Sequence, residues 1–561
     1  MKQTIARAKG SPEPSAPLSA TVQLTPYLDA ATFNASFDWE TSSGLPRYIR
    51  DLVGTTIRDN PVLPHGDNVP GTVRWQLDSG LQQDVSDGVI TYGFFDSRHA
   101  VGLNNSPKLG EGKGYSPFTD AQKAAARVAI QNWDDLIAAK FVEVPNQPGA
   151  SEVNRTDILL ANTTTGPAQA WAYYPGYDKQ YQRIAGDVWI ADPRVNGSNG
   201  QLDPGFYGLQ TLNHELGHAL GLSHPGSYDF GDDQDGDGQP DPITYTGDAQ
   251  YFQDSNQFTI MSYFDSYETG AQNIDWNLMR FVYPSTPMVD DVFVIQQKYG
   301  ADYTTRAGDT VYGFNASADV TNEAMRFKTG ELATIFTIWD GAGNDTLDLS
   351  GYYTDSVIDL REGAYSSAGG WGAYDPNLIG TAPTLAQINA NNAAAGLGAR
   401  TARLYEIYFN GDWYDTTATG EKVLVNEGQS WKEITGTGDK YLMEQNIGIA
   451  YGAVIENAIG GHGNDRINGN QANNNFTGGA GADTFILARY GANDVSVDTI
   501  KDFQTGLDKI DLTSFAGVKL ENVSFANNLL SVDTNRDGTA DFTANVLGDP
   551  LNLSTDLIFA A

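Results

Sequence analysis

Residues 460–468, GGHGNDRIN, and 478–486, GGAGADTFI, share the pattern Gly-Gly-x-Gly-x-Asp-x-U-x, where U is a large apolar residue. The residues between them, GNQANNNFT, keep the same nine-residue register in degenerate form. This period constrains the fold more than anything else in the chain, because one copy cannot bury a core alone and must stack on its neighbours. The glycines permit tight turns, and Ile467, Phe476 and Phe485 are then expected to point inward from short strands. Turn carbonyls and Asp carboxylates together make oxygen-rich sites suited to Ca²⁺. The candidate ligands are Gly461, Gly463 and Asp465 in one copy and Gly479, Gly481 and Asp483 in the other. A flexible glycine-rich linker would not repeat large apolar residues at this spacing. An isolated copy at 340–348, DGAGNDTLD, has Asp340 in place of the first glycine and adds Gly341, Gly343 and Asp345. A long stretch separates it from the others, and no pattern places the part near 370–440.

A second constellation lies upstream, His-Glu-Leu-Gly-His-Ala-Leu-Gly-Leu-Ser-His at 214–224. His214 and His218 are four apart, so on a helix they share a face and can grip one metal ion from the same side. Glu215 sits beside the first of them, within reach of a water on that metal. Gly221 can take the left-handed backbone that ends a helix and turns the chain, which brings His224 back as a third nitrogen ligand. Three imidazoles around zinc leave a position open for water, as in catalytic rather than structural sites. The chain has 6 His in 561 residues, so three within these eleven positions are hard to ascribe to incidental core or surface histidines.

Composition bounds the rest. The length allows two to four domains and at least one substantial core. Acidic residues number 70 against 34 basic, a net charge of -36, which argues against nucleic acid and anionic membranes as partners. With no cysteine, disulfide staples are excluded, as is a cysteine that would block the zinc in a precursor. Residues 1–20 carry no apolar run of a Sec-type signal, and no stretch approaches a membrane span. Taken alone, that reads as cytoplasmic.

Residues 1–70, rich in Pro, Ser, Thr and Asp, read as a propeptide, a leader or a small subdomain. From Thr72 the pattern is strand-like, first TVRWQL and then the segment around Tyr92 to Asp96. Thr119 or Asp120 caps a helix expected to run to about Ala139, with Ala125, Ala129, Trp133, Leu136 and Ile137 as its buried stripe. Strands follow at 141–144, 157–160, 170–173 and 186–190. Asp203 is expected to cap the helix bearing His214, with Pro204 in its first turn. Asp233, Asp235, Asp237 and Asp241 lie in an Asp-x-Asp-x-Asp-Gly loop that reads equally as a calcium site or a solvated acidic loop. Thr244 stands where an EF-hand has its bidentate Glu, which argues against an EF-hand. A short helix over 290–299 bridges to the second half. Near the end, Asp533, Asp537 and Asp541 form a second possible acidic calcium loop.

The histidine pattern, followed downstream by Met261-Ser262-Tyr263, is the metzincin signature with its Met-turn. With Pro225 after the third histidine, it resembles the serralysins in particular. The resemblance covers about residues 70–561. It implies an α+β metzincin-like catalytic domain over 71–289, a twisted sheet plus zinc helix. An all-β domain over 290–561, a parallel β-roll or β-sandwich of repeats-in-toxin type, would follow. It implies one catalytic Zn²⁺ held by His214, His218 and His224, with Tyr263 as a further, displaceable ligand, and Met261 as an apolar floor beneath them. Glu215 would be the general base and Tyr263 the stabiliser of the oxyanion. An edge strand of the sheet, for which the candidate is the segment from Gly166 to Tyr173, would bind extended peptide. Several structural Ca²⁺ ions are implied. Ile338 to Thr346 echoes an early family segment, and Asp502 to Leu512, with Asp502 and Asp508, resembles the capping segment of the roll. The end, Asp556 to Ala561, resembles an uncleaved type I secretion signal, although a final strand explains it equally well. The expectation is a secreted, monomeric metalloendopeptidase with protein substrates, exported by type I machinery and not inserted in membranes. The alternatives are a calcium-dependent adhesin with a vestigial zinc site and a non-proteolytic zinc hydrolase.

Overall fold

Runs of β-branched and aromatic residues build the first sheet, whose strands are β1 (Val89–Phe94), β2 (Tyr115–Ser116), β3 (Lys140–Glu143), β4 (Ile158–Thr163), β5 (Ala170–Ala172) and β6 (Val188–Ala191). The order is β3-β1-β4-β6-β5, with β2 paired to β4. The pairs β1/β3, β1/β4 and β4/β6 are parallel, whereas β5 runs antiparallel to β6 and forms an edge. This computed structural model describes residues 77–96, 106, 109–145, 156–176, 184–226, 228, 243, 245–249, 253–330, 334–381, 383–400, 442–490 and 495–560, with the backbone of short strands between 403 and 433. The acidic loop with Asp233, Asp235, Asp237 and Asp241 lies outside the described residues, as does the TVRWQL segment except for the buried Leu77. None of the helices described is long and apolar enough to cross a membrane.

Helix α1 (Asp120–Asp134) begins at a reciprocal box in which Thr119 and Gln122 cap one another. It ends at Asp134, short of the expected Ala139. The Asp134 carboxylate accepts the Phe141 N–H at 2.7 Å and turns the chain into β3. Leu136 and Ile137 are buried in that turn instead of on the helix. Helix α2 (Tyr207–Ala219) carries the histidine motif and is buried along its whole length. Asp203 does not cap it. Phe206 is the N-cap residue, and Asp203 to Phe206 form a turn closed by the Phe206 N–H on the Asp203 carbonyl at 3.1 Å. That turn delays helical geometry, so Pro204 also lies outside the helix. The Trp133 indole N–H donates to the Asn213 carbonyl at 3.2 Å and fixes α1 against α2.

Helix α3 (Val289–Tyr299) leads into the second half. There β9 (Val311–Gly313), β11 (Thr346–Asp348), β20 (Asn457–Ile459), β22 (Asn475–Thr477), β24 (Asp498–Phe503) and β28 (Phe542–Gly548) pair side by side in parallel. A second sheet contains β12 (Val357–Asp359), β21 (Arg466–Asn468), β23 (Thr484–Ile486), β25 (Lys509–Asp511) and β29 (Leu557–Ile558), again in parallel. The chain alternates between the sheets, so each nine-residue copy supplies one strand. The middle residue of each three-residue strand is apolar and wholly buried: Leu347, Ala458 and Phe476 on one side, Ile358, Ile467, Phe485 and Ile510 on the other. Filling a shared interior from both sheets is what a lone copy could not do.

The isolated copy is not isolated in space. Leu347 on β11 is in register with Ala458 on β20, and Ile358 on β12 with Ile467 on β21. The intervening segment loops out and returns to the next rung. It contains β13 (Tyr365–Ser366), a helix α4 (Leu385–Ala394) and five short strands: β14 (Arg403–Leu404), β15 (Glu406–Ile407), β16 (Trp413–Thr416), β17 (Lys422–Asn426) and β18 (Lys432–Glu433). It closes with β19 (Ile447–Ile449), paired to β10 (Phe336–Ile338). The Asn391 and Asn392 side chains on α4 donate to the Asn277 and Leu278 carbonyls, both at 2.9 Å, and tie the excursion to the first half.

Candidate active site

Three histidines meet at the C-terminal end of α2. One ligand nitrogen from each of His214, His218 and His224 lies within 4.8 Å of the others, and all three side chains are buried. The local fold explains the convergence. Gly221 takes φ +93, and a Cβ there would stand 2.0 Å from the Leu81 carbonyl, so only glycine fits this helix end. The Leu222 N–H returns to the Gly217 carbonyl at 2.9 Å, and two residues later His224 faces back toward the helix.

Hydrogen bonds fix how the rings face. The Nδ1 of His214 lies 2.7 Å from the Ile260 carbonyl, and the Nδ1 of His218 lies 2.7 Å from the Leu222 carbonyl. A carbonyl can only accept, so each Nδ1 carries a proton, which leaves Nε2 of the neutral ring as the atom able to bind a metal. The Nε2 atoms of His218 and His224 are 3.1 Å apart. Burial, and secondarily the neighbouring His224, pushes His214 down to about 3 in the metal-free protein, which keeps its imidazole neutral. Its Nε2 is buried with no hydrogen-bond partner, as are both carboxylate oxygens of Glu215. Burial drives the Glu215 carboxyl well above the usual carboxylate range. Converging imidazole nitrogens, that of His214 without a protein partner, are a donor set that fits a divalent zinc-like ion.

The Met-turn closes the site from below. The Met261 sulfur fills the space a side chain on Gly217 would take, 2.6 Å from that Cβ position. The Tyr263 ring lies 4.5 Å from that of His224 and 6.4 Å from that of His214. Tyr174, just past β5, sets its ring edge against His218 at 5.7 Å, so the sheet edge runs beside the histidines.

Several supports were not legible as motifs. Asp291 on α3 accepts from the Thr259 hydroxyl (2.6 Å), the Ile260 N–H (2.8 Å) and the Met288 N–H (2.8 Å), and so holds the strand of chain that faces His214. Asp254 and Tyr228 pack on the other side of the site. Neither pair has a spacing to the histidines that a sequence pattern registers.

In the second half, the repeat carboxylates form a ladder. Asp465 accepts the Gly461 N–H (2.5 Å) and the Ser356 N–H (2.7 Å). The Asp465 N–H donates to Asp483 (2.9 Å), and the Asp483 N–H donates to Asp508 (3.0 Å). Asp502 accepts from Gly478 and Gly479 at 2.9 and 2.8 Å. Asp345 accepts the Thr310 N–H at 2.8 Å, and Asp340 the Tyr312 hydroxyl at 2.6 Å. Gly481 stacks so closely on the rung below that a Cβ would stand 1.9 Å from the Gly463 carbonyl. Gly461 and Gly479, and Gly341 and Gly343 of the first copy, occupy the corresponding turns. Burial pushes Asp465 and Asp483 up to about 7 and raises Asp340 and Asp345 together. One oxygen of Asp345 and one of Asp483 are buried without a hydrogen-bond partner. Buried carboxylates with spare oxygens suit a hard cation. Asp556, by contrast, is wholly buried and accepts the Asn552 N–H at 3.0 Å, and β29 after it adds a rung to the second sheet.

Comparison with known proteins agrees with this anatomy. A family model described as the C-terminal domain of serralysin peptidases of the M10 class matches residues 301–399 and 433–558. A serralysin of Proteus mirabilis is 34% identical over 457 residues, covering 75% of this chain and 74% of the relative. The metallopeptidase AprA of Pseudomonas marginalis is 32% identical over 581 residues, covering 95% of this chain and 96% of the relative. Serralysin C of Dickeya chrysanthemi is 38% identical over 288 residues, covering 51% of this chain and 53% of the relative. The chain is thus a metalloendopeptidase with a metzincin catalytic domain and a β-rich C-terminal domain. It belongs to the serralysin family.

Proposed function

We propose that the chain is a secreted zinc endopeptidase. Residues 71–289 form its catalytic domain and 290–561 a calcium-binding β-roll domain. The observation that carries the reading is the convergence of three buried imidazoles with Glu215 on the next helical position. His214, His218 and His224 would hold Zn²⁺, with Tyr263 as a fourth, displaceable protein ligand. When bound, the ion supplies Lewis-acid polarisation of the scissile carbonyl and brings the pKa of water at the site toward about 7. The edge strand β5 is the candidate for the strand with which an extended peptide would pair. Glu215 takes the proton of the attacking water and passes it to the leaving amine. The Tyr263 hydroxyl donates to the oxygen that gains negative charge as the carbonyl becomes tetrahedral.

The roll would take several Ca²⁺ ions through the carbonyls of Gly341, Gly343, Gly461, Gly463, Gly479 and Gly481. Asp340, Asp345, Asp465, Asp483, Asp502 and Asp508 would complete these sites with carboxylates. Low calcium inside the cell would leave the acidic repeats unfolded for type I export, and binding outside supplies folding free energy. The test is a casein and peptide-library digest of calcium-loaded protein, with metal analysis and a 1,10-phenanthroline control. Phenanthroline-sensitive cleavage of internal peptide bonds is expected. Intact peptides at stoichiometric zinc would sink the reading and leave the adhesin.

A further inference from the structure

One carboxylate joins the two loops that complete the site. Asp254 is wholly buried. Its Oδ1 accepts the Tyr228 hydroxyl at 2.6 Å and the Ser262 hydroxyl at 2.7 Å. Tyr228 lies four residues past His224, and its ring is nearly parallel to that imidazole, 6.0 Å away at 11°. The same ring lies 5.1 Å from the ring of Tyr263. Ser262 stands between Met261 and Tyr263, and its oxygen also accepts the Phe264 N–H at 3.0 Å, which closes the Met-turn. The loop that bears the third histidine and the turn that bears the tyrosine thus end on a single oxygen. Tyr245 and Phe264 pack Tyr228 from behind, with Tyr263 at the edge of the cluster.

We propose that Asp254 is a positioning residue that sets the rings of His224 and Tyr263 relative to each other, acting through Tyr228 on one arm and Ser262 on the other. A solvated carboxylate could not do this. A buried one that accepts from two hydroxyls holds both loops at a fixed separation. The consequence is directional. Loss of the clamp should leave peptide pairing on the β5 edge, which adjoins His218 and not His224, intact while loosening the tyrosine that meets the developing charge. It should therefore lower kcat and spare KM. Loosening of His224 should weaken the hold on the metal as well.

The inference rests on the zinc and oxyanion reading above, and the experiment separates the two. Asp254→Ala, Asp254→Asn, Tyr228→Phe, Ser262→Ala and Tyr263→Phe are prepared as full chains in calcium. Each is characterised for kcat and KM on one peptide, for zinc affinity by chelator competition, and for the visible spectrum of the cobalt(II)-substituted protein. For Asp254→Ala, kcat and zinc affinity should each fall about 10–100-fold with KM little changed. Its cobalt spectrum should shift. Asp254→Asn keeps an acceptor in place and should restore most of the loss. Tyr228→Phe and Ser262→Ala should each give a partial loss, and neither should add to Asp254→Ala. Should Asp254→Ala not fold, the two single-arm variants, which remove one hydroxyl each, decide the matter. A wild-type cobalt spectrum and kcat in those variants would overturn the clamp, as would a fall in thermal stability alone. If Tyr263→Phe itself leaves kcat unchanged, the oxyanion role of Tyr263 fails, and the clamp stands or falls on zinc affinity and the cobalt spectrum.

Discussion

The histidine centre and the carboxylate ladder both suit metal ions, yet they are built on opposite electrostatic terms. The centre buries imidazoles, His214 among them held neutral by burial, and two of the rings already have their second nitrogen fixed by a carbonyl. The ladder buries acids, with Asp465 and Asp483 on neighbouring rungs of the second sheet each 1% exposed. Neutral ligands can be packed before the metal arrives, because burying them costs far less than burying a charge. Like charges cannot, and they either take up protons or wait for a counter-ion. The catalytic half should therefore be preformed without zinc, whereas the roll should depend on calcium to fold.

The largest effect expected sits at the centre. Glu215→Gln should retain zinc and the wild-type circular dichroism spectrum but lose turnover by about 10³-fold or more, since it removes the proton carrier alone. Retention of wild-type proteolysis would remove Glu215 from the reaction. Next comes the contrast itself. EGTA should collapse much of the far-UV β signal, while 1,10-phenanthroline should leave that signal nearly unchanged and abolish cleavage. A spectrum indifferent to EGTA would break the comparison. Inside the roll, Phe476→Ala should cost about 3–5 kcal/mol in saturating calcium, read by denaturant unfolding, because the ring fills the space between the two sheets. A smaller loss, with the calcium midpoint unmoved, would mean that the degenerate copy carries little of the core.

The smallest effect concerns protons. In the metal-free protein Asp465 and Asp483 are raised to about 7 from the ordinary 3.8. Between those values the folded roll binds more protons than the unfolded chain. Its metal-free stability should therefore be highest on the acid side and fall as pH rises through the window. Calcium competes with those protons, so its affinity should climb over the same range. The far-UV signal left in EGTA between pH 5 and 8 tests the sign: residual β structure should diminish as pH rises, and a gain with pH would contradict it.

Sequence periodicity located the helix of His214 and His218, the turn at Gly221 and the inward residues Ile467, Phe476 and Phe485, because each depends on short-range geometry. It misplaced the helix start, since the Asp203–Phe206 turn competes with a cap that propensity favours. It could not see Asp254, Asp291 or Tyr174, whose roles arise only when distant segments pack together. The neighbour of the 340–348 copy was hidden for the same reason. Strand pairing across a long excursion leaves no trace in a local pattern.

That pairing has a kinetic corollary. The rungs from β20 to β25 join neighbours close along the chain, whereas β11 and β12 meet β20 and β21 only after the whole looped-out segment has been traversed. Closing a long loop before its contacts form is entropically slow. The solenoid should therefore zip from its C-terminal end and admit the β9–β11 pair and β12 last, which makes their docking the step that completes both sheets.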